Sequence, residues 1–272
     1  MTRTCVIAEI GENHAGDWEL ARKMIAAAAH AGADVVKFQS YRGSDVSTDD
    51  PEKDWFKRVE VSDSLHFELK KVAEQHGVRF LSSCFTLERA RFLVEELGLR
   101  EVKVASSEML DFQLLDYLNT VASTVFLSTG MATLDEVREA VSRLFKVPEI
   151  YILHCTTLYP CPPDQTNLRA LQTLQQAFPK RRVGYSDHTV GTLASVVAVG
   201  LGARVIEKHF TLDRSLPGTD HVLSATPEEL RQLVDDIRTV EALLGSSEKK
   251  PTLSELQIRD AVRNRFLKTP SL

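Results

Sequence analysis

Residues 183–209 run VGYSDHTVGTLASVVAVGLGARVIEKH: a short β-branched stretch, a turn, an apolar helical segment and a second β-branched stretch. A strand that returns through a helix pairs in parallel with the strand before it. Both strands of this unit also end in reactive side chains, Ser186-Asp187-His188 on the first and Glu207-Lys208-His209 on the second.

The same alternation extends back to the N-terminus. Candidate strands are Cys5–Ile10, Val35–Gln39, Arg79–Ser83, Val102–Val104, Val125–Ser128, Ile150–Cys155, Val183–Ser186 and Val205–His209. Segments of helical periodicity follow them at Trp18–Ala31, Ser64–His76, Leu87–Leu97, Phe112–Val121, Leu134–Leu144, Leu168–Phe178, Leu193–Leu201 and Pro227–Leu244. Asp17 and the Thr226-Pro227-Glu228-Glu229 start read as helix N-termini, and Gly32 and Gly77 as C-terminal stops. Eight βα units predict an α/β chain folded as a closed (β/α)8 TIM barrel. A Rossmann sheet loses its main support, because Gly11 and Gly16 do not make the GxGxxG that would follow the first strand. The barrel is expected over residues 1–245, with 246–272 a linker and a short tail helix from about Ser254 to Phe266.

With 43% hydrophobic and 26% charged residues the chain is globular in composition, and a formal charge of -5 gives no footprint for nucleic acid. Cys5, Cys84, Cys155 and Cys161 form no CxxC pair, which fits a reducing compartment. No apolar run reaches membrane-spanning length, and the N-terminus lacks the flanks of a signal peptide, so the expected location is the cytoplasm.

In such a barrel, chemistry sits at the C-terminal ends of the strands. Lys37 and Lys103 fall there, and a lysine in a barrel interior needs an anion. A bound phosphate or carboxylate, cradled also by Ser83, Ser106 and Ser128, supplies one; a neighbouring glutamate is the alternative. His188 and His209 lie on adjacent strands and could share a divalent metal, with Glu9 as a further ligand or outer partner; two satisfied polar core histidines is the other possibility. Cys155 is discounted as a nucleophile because no base is placed for it, and His154 should face the helices.

Seven stretches, in order, resemble the N-acetylneuraminate synthase family. They are Glu9-Ile10-Gly11-Glu12-Asn13-His14-Ala15-Gly16, Val36-Lys37-Phe38-Gln39, Lys103-Val104-Ala105-Ser106-Ser107-Glu108, Leu127-Ser128-Thr129-Gly130-Met131, Leu153-His154-Cys155-Thr156, Gly184-Tyr185-Ser186-Asp187-His188-Thr189 and Ile206-Glu207-Lys208-His209-Phe210-Thr211. The resemblance spans about Val6 to Leu244. It implies condensation of phosphoenolpyruvate with an N-acetylmannosamine-type aldose, or its 6-phosphate, in a homodimer. Lys37, Ser83, Lys103, Ser106, Ser128 and Ser186 are implied to hold phosphoenolpyruvate, with Thr157 standing where the family usually has Asn. His188 and His209 are implied to hold the metal, Mn2+ first, with Mg2+ or Co2+ as alternatives. Glu108 is implied to shuttle a proton, Glu9 to position water or the metal shell, and Gln39, Phe85, Tyr159 and Asp220 to line the sugar site.

Ser83-Cys84 replaces a commoner Thr-Pro, and Thr219 a Pro. The family's C-terminal antifreeze-like domain, implied to place an arginine on the partner's sugar N-acyl group, has no counterpart before Leu272. Either the chain is a shortened form, or it is a natural short form that uses another acceptor or receives that domain from another chain. The rivals are a class I aldolase with a Schiff base on Lys37, Lys103 or Lys208, and a non-catalytic sugar-phosphate-binding barrel.

Overall fold

The computed structural model describes residues 3–266. Its eight strands are β1 (Cys5–Glu9), β2 (Val35–Ser40), β3 (Arg79–Cys84), β4 (Glu101–Val104), β5 (Thr124–Ser128), β6 (Glu149–Cys155), β7 (Arg182–Asp187) and β8 (Val205–His209). They pair in sequence order, all parallel, and β1 closes on β8 from Cys5↔Val205 to Glu9↔His209. The expected TIM barrel is the observed fold, with strand ends displaced by at most one residue.

Among the described residues ten α-helices surround or follow it: α1 (Trp18–His30), α2 (Lys53–Val59), α3 (Asp63–Gln75), α4 (Leu87–Arg91), α5 (Phe112–Val121), α6 (Leu134–Arg143), α7 (Ala170–Ala177), α8 (Leu193–Gly200), α9 (Pro227–Leu244) and α10 (Leu253–Arg263). Asp17 caps α1 by accepting from the N–H groups of Glu19 and Leu20, and Thr226 with Glu229 forms a reciprocal capping box on α9. Ala21, Met24, Ile25 and Ala28 recur at helical spacing on α1 and are buried. Burying a Met or Ile of that face contributes about 1.5–3 kcal/mol.

Two helices differ from expectation. The segment 87–97 is a short α4 that widens into a π-turn over Phe92–Glu96. α2 was not anticipated: its seven residues have no side-chain cap, so the sequence carries no start signal for it. The tail helix is α10, none of whose residues is buried; residues 267–272, where the chain ends, lie outside the described residues. No helix among the described residues is long and apolar enough to cross a membrane.

The period-two alternation of the strands sorts side chains into two compartments. Outward-facing Val6, Ala8, Val36, Phe38, Val102, Val104, Val125, Leu127, Ile150, Ile152 and Ile206 pack under the helices. Inward-facing Ile7, Val35, Leu81, Phe126, Leu153 and Val205 form a separate apolar plug within the barrel. The next inward positions toward the C-terminal ends are Glu9, Lys37, Ser83, Lys103, Ser128, Cys155, Ser186 and Glu207. Polarity changes there because the plug excludes water below and a cavity opens above.

Gly184 keeps the plug closed. A Cβ at this position would stand 2.7 Å from the Val205 carbonyl oxygen and 2.9 Å from its Cβ. Gly184→Ala should therefore force β7 and β8 apart and cost about 1–3 kcal/mol, visible as a lower urea midpoint with an unchanged slope.

Candidate active site

The cavity above the plug has a volume of about 440 Å3, within the usual range for a small-molecule site. Its wall includes Glu9, Lys37, Gln39, Ser83, Phe85, Lys103, Ser106, Ser128, Thr157, Tyr159, Ser186, His188, His209 and Asp220. All are residues singled out in the sequence. Glu108 is not among the lining residues; it is half-buried on the 3-10 turn Ser106–Glu108. Its expected proton shuttle has no support in this position.

At the floor, Lys37 Nζ lies 3.1 Å from Glu9 Oε1 and 3.5 Å from Glu207 Oε1, and donates to Ser83 Oγ at 2.9 Å. Lys103 Nζ is 3.9 Å from Glu207 and donates to the Val104 carbonyl at 3.0 Å. The alternative in which glutamates neutralise the interior lysines is thus realised. Glu207 shares an inward face with His209, two residues on, and that periodicity was the available signal for a role not assigned from sequence.

Burial alone would raise the Glu207 carboxyl, but Lys103 and Lys37 outweigh it and hold the group well below the usual carboxylate range. Glu9 goes the other way: burial raises it, to about 7, with Glu207 opposing its ionisation and Lys37 only partly compensating. Lys37 is held above its ordinary value because Glu207 and Glu9 outweigh its burial, whereas burial dominates at Lys103 and lowers it.

The loop after β5 reaches into this floor. A Cβ at Gly130 would collide with Thr157 Oγ1 and stand 2.8 Å from Ser106 Oγ, so only glycine lets the Gly130 N–H donate to Ser106 Oγ at 2.9 Å. Ser128 Oγ, Thr157 Oγ1, Glu9 Oε2, Glu207 Oε2 and His209 Nδ1 are buried without a hydrogen-bond partner. Five such atoms in one cavity fit a polar ligand better than a closed core.

His188 and His209 face each other with ring centroids 5.4 Å apart. Asp187 sets the turn that carries His188: its outward carboxylate accepts from Thr189 N and Oγ1 and from Ser195 Oγ, and faces Lys208 at 3.5 Å. Lys208 is therefore buried behind β8, away from the cavity. His188 Nδ1 donates to the Thr156 carbonyl at 2.9 Å, which leaves Nε2 as a free acceptor. Burial holds His188 down to about 4 and His209 down to about 3, so both imidazoles are neutral, the form that binds metal. His209 Nδ1 approaches Asp220 at 3.3 Å without making a hydrogen bond.

Tyr159 stacks on His188 at 4.1 Å and meets His209 edge-on. No group of three or more His, Cys, Asp or Glu among the described residues converges on one ion position, so a cation here would keep open positions. Cys155 lines the cavity with its Sγ 3.8 Å from His188 Nδ1, so the expectation that no base lies near it is not met, although burial pushes its thiol up to about 11. His154 points out to the Thr166 carbonyl at 2.8 Å and stacks on Tyr185, as expected. The four cysteines are free.

The sequence profile of the NeuB family matches residues 24–249. The chain belongs to the NeuB family. It is 40% identical over 282 residues to the N,N'-diacetyllegionaminic acid synthase of Legionella pneumophila, across 96% of this chain and 79% of that protein. With human N-acetylneuraminate-9-phosphate synthase the identity is 35% over 260 residues, across 90% of this chain and 72% of the relative. The crystal structure of N-acetylneuraminic acid (sialic acid) synthetase from Leptospira borgpetersenii serovar Hardjo-bovis in complex with citrate superposes with a TM-score of 0.90. It is 33% identical and the match covers 97% of this chain and 92% of that one. The NeuB-family assignment bears out the resemblance carried by the seven motifs. This NeuB-family barrel is an enzyme, a sugar-acid synthase, and the non-catalytic alternative falls away.

Glu207→Gln in the NeuB-family barrel removes the carboxylate that both interior lysines share. It should lower stability by about 3–5 kcal/mol in urea unfolding. Millimolar inorganic phosphate should then raise the melting temperature of the variant more than that of the parent; an unchanged urea midpoint would mean that the lysines do not depend on Glu207.

Proposed function

We propose that this NeuB-family synthase condenses phosphoenolpyruvate with an N-acetylmannosamine-type aldose, or its 6-phosphate. The products are a 2-keto-3-deoxy nonulosonic acid and inorganic phosphate. The observation that carries this reading is one cavity with two lysines and unpartnered hydroxyls at its floor and two neutral imidazoles on its wall.

Lys37 and Lys103 face the phosphate and carboxylate of the enol substrate, and Ser83, Ser106, Ser128, Thr157 and Ser186 supply hydrogen bonds around them. His188 and His209 hold a divalent cation, Mn2+ or else Mg2+ or Co2+, that supplies Lewis-acid polarisation of the aldehyde oxygen when bound. Gln39, Phe85, Tyr159 and Asp220 orient the aldose, so that C3 of the enol and the aldehyde carbon meet in a reactive pose. The C3–C1 bond forms from the enol π electrons and the aldehyde oxygen takes a proton. Water then adds at C2 and loses its protons as the C2–O bond to phosphate breaks, leaving the ketone.

Glu9 is the residue to hold and release a proton in that sequence. Its carboxyl lies in the cavity wall and is poised near neutrality, and Gln39 Nε2 donates to its Oε1 at 3.1 Å. The proposal includes a cytoplasmic homodimer; Met131, Val190 and Leu193, which follow β5 and β7, are exposed apolar residues suited to cover by a partner.

The lowered Lys103 gives one specific point in favour of Schiff-base aldol chemistry. Borohydride with pyruvate and aldose is nonetheless expected to leave the protein mass unchanged, because Lys103 serves as a cation; an adduct on Lys103 would reverse that assignment. The main test is phosphate release from phosphoenolpyruvate across a panel of aldoses. Release should require an aldose and Mn2+, and His209→Ala should lower it by about a hundredfold or more; release unaffected by the substitution would remove His209 from the site.

A further inference from the structure

The charges of the cavity are segregated. Among the described residues that line it, the lysines and arginines are Lys37 and Lys103 alone, both at the floor and both facing Glu9 or Glu207. The mouth carries Glu12 on the loop after β1, Glu52 at the start of α2 and Asp220 on the loop after β8. Arg58, on the same helix as Trp55, stacks over its ring at 5.7 Å and is not a lining residue.

Glu12 is held in place. Trp55 Nε1 of α2 donates to Glu12 Oε2 at 2.7 Å, and Tyr41 OH donates to Oε1 at 3.5 Å. Trp55 in turn lies against the β8 loop, since a Cβ at Gly218 would come within 3.2 Å of its Cζ2. The β2–α3 connection therefore holds the carboxylate through Tyr41 and Trp55, with the β8 loop packed behind Trp55. Each of its oxygens keeps acceptor capacity toward the cavity. Burial raises the Glu12 carboxyl, to about 7, and Asp220, Glu52 and Glu9 add to the rise.

A sugar hydroxyl or amide N–H entering this mouth donates to Glu12 and Asp220 in charge-assisted hydrogen bonds. A phosphomonoester brings two further negative charges against the same carboxylates and finds no lysine or arginine to meet them. We propose that Glu12, fixed by Trp55 and Tyr41, is a specificity-determining residue that selects an unphosphorylated, hydroxyl-rich aldose and rejects its phosphate ester. The assignment rests on the synthase activity proposed above and chooses between the two acceptor classes left open there.

The test compares N-acetylmannosamine with its 6-phosphate on the full chain, with phosphoenolpyruvate and Mn2+ present. Phosphate release and calorimetric sugar binding are both read, for the parent, Glu12→Gln and Glu52→Gln. The parent should favour the free sugar by about a hundredfold in kcat/KM. Glu12→Gln should narrow that preference about tenfold, with the change in the KM for sugar and not for phosphoenolpyruvate; Glu52→Gln, an exposed rim charge that cannot disturb folding, should narrow it by about twofold. Equal use of the two sugars by the parent, or a preference unmoved by Glu12→Gln, overturns the assignment.

Absence of phosphate release with every aldose would overturn the synthase activity, and binding then decides for Glu12 separately. Tighter binding of the free sugar that Glu12→Gln erases supports it; equal binding of the two sugars, or binding of neither, overturns it.

Discussion

Lys37 stands inside a parallel barrel with Glu9 at 3.1 Å and Glu207 at 3.5 Å, and the floor of the cavity is organised around that contact. An ion in such a place is costly unless opposite charges and hydrogen bonds surround it. Glu9 comes from β1, Lys37 from β2 and Glu207 from β8, so the cluster forms only when β1 sits between its two neighbours in the observed register. Closure of the barrel is what brings the lysine both of its carboxylates. Lys103 reaches the same Glu207 from across the barrel, which ties the fourth strand to the eighth.

The apolar plug below makes this arrangement possible. Ile7, Val35, Leu81, Phe126, Leu153 and Val205 exclude water from the lower barrel. The carboxylates directly above them feel a low dielectric on one side and the cavity on the other. Neighbouring acids consequently separate in character: Glu207, between two lysines, stays ionised, and Glu9, with one lysine and a like charge beside it, moves toward neutrality. The same fold therefore offers a fixed anion and a group able to exchange a proton a few ångströms apart.

Outside the barrel wall, the Asp187–Lys208 pair performs a positioning role that is easily mistaken for chemistry when only the motif is considered. Asp187 anchors the β7–α8 turn and thereby orients His188, while Lys208 is spent on Asp187 and the Thr189 carbonyl. The mouth follows a different logic. There α2 and Trp55 bring Glu12 beside Asp220, and a negative rim is set opposite a floor rich in donors.

By itself the sequence determined the eight βα units, the inward and outward faces of each strand, and, with the family resemblance, much of the cavity wall. These features are written in periods of two and 3.6 residues and in motifs a few residues long, so they survive without knowledge of any partner. Only the tertiary structure decided which side chains meet. The glutamate partners of Lys37 and Lys103, the seclusion of Lys208, the position of Glu108 outside the cavity and the recruitment of Glu12 by Trp55 all depend on groups distant in sequence or on a helix with no cap signal. Barrel closure and loop convergence set those distances between residues far apart in the chain, whereas the local pattern fixes only which face each strand residue takes.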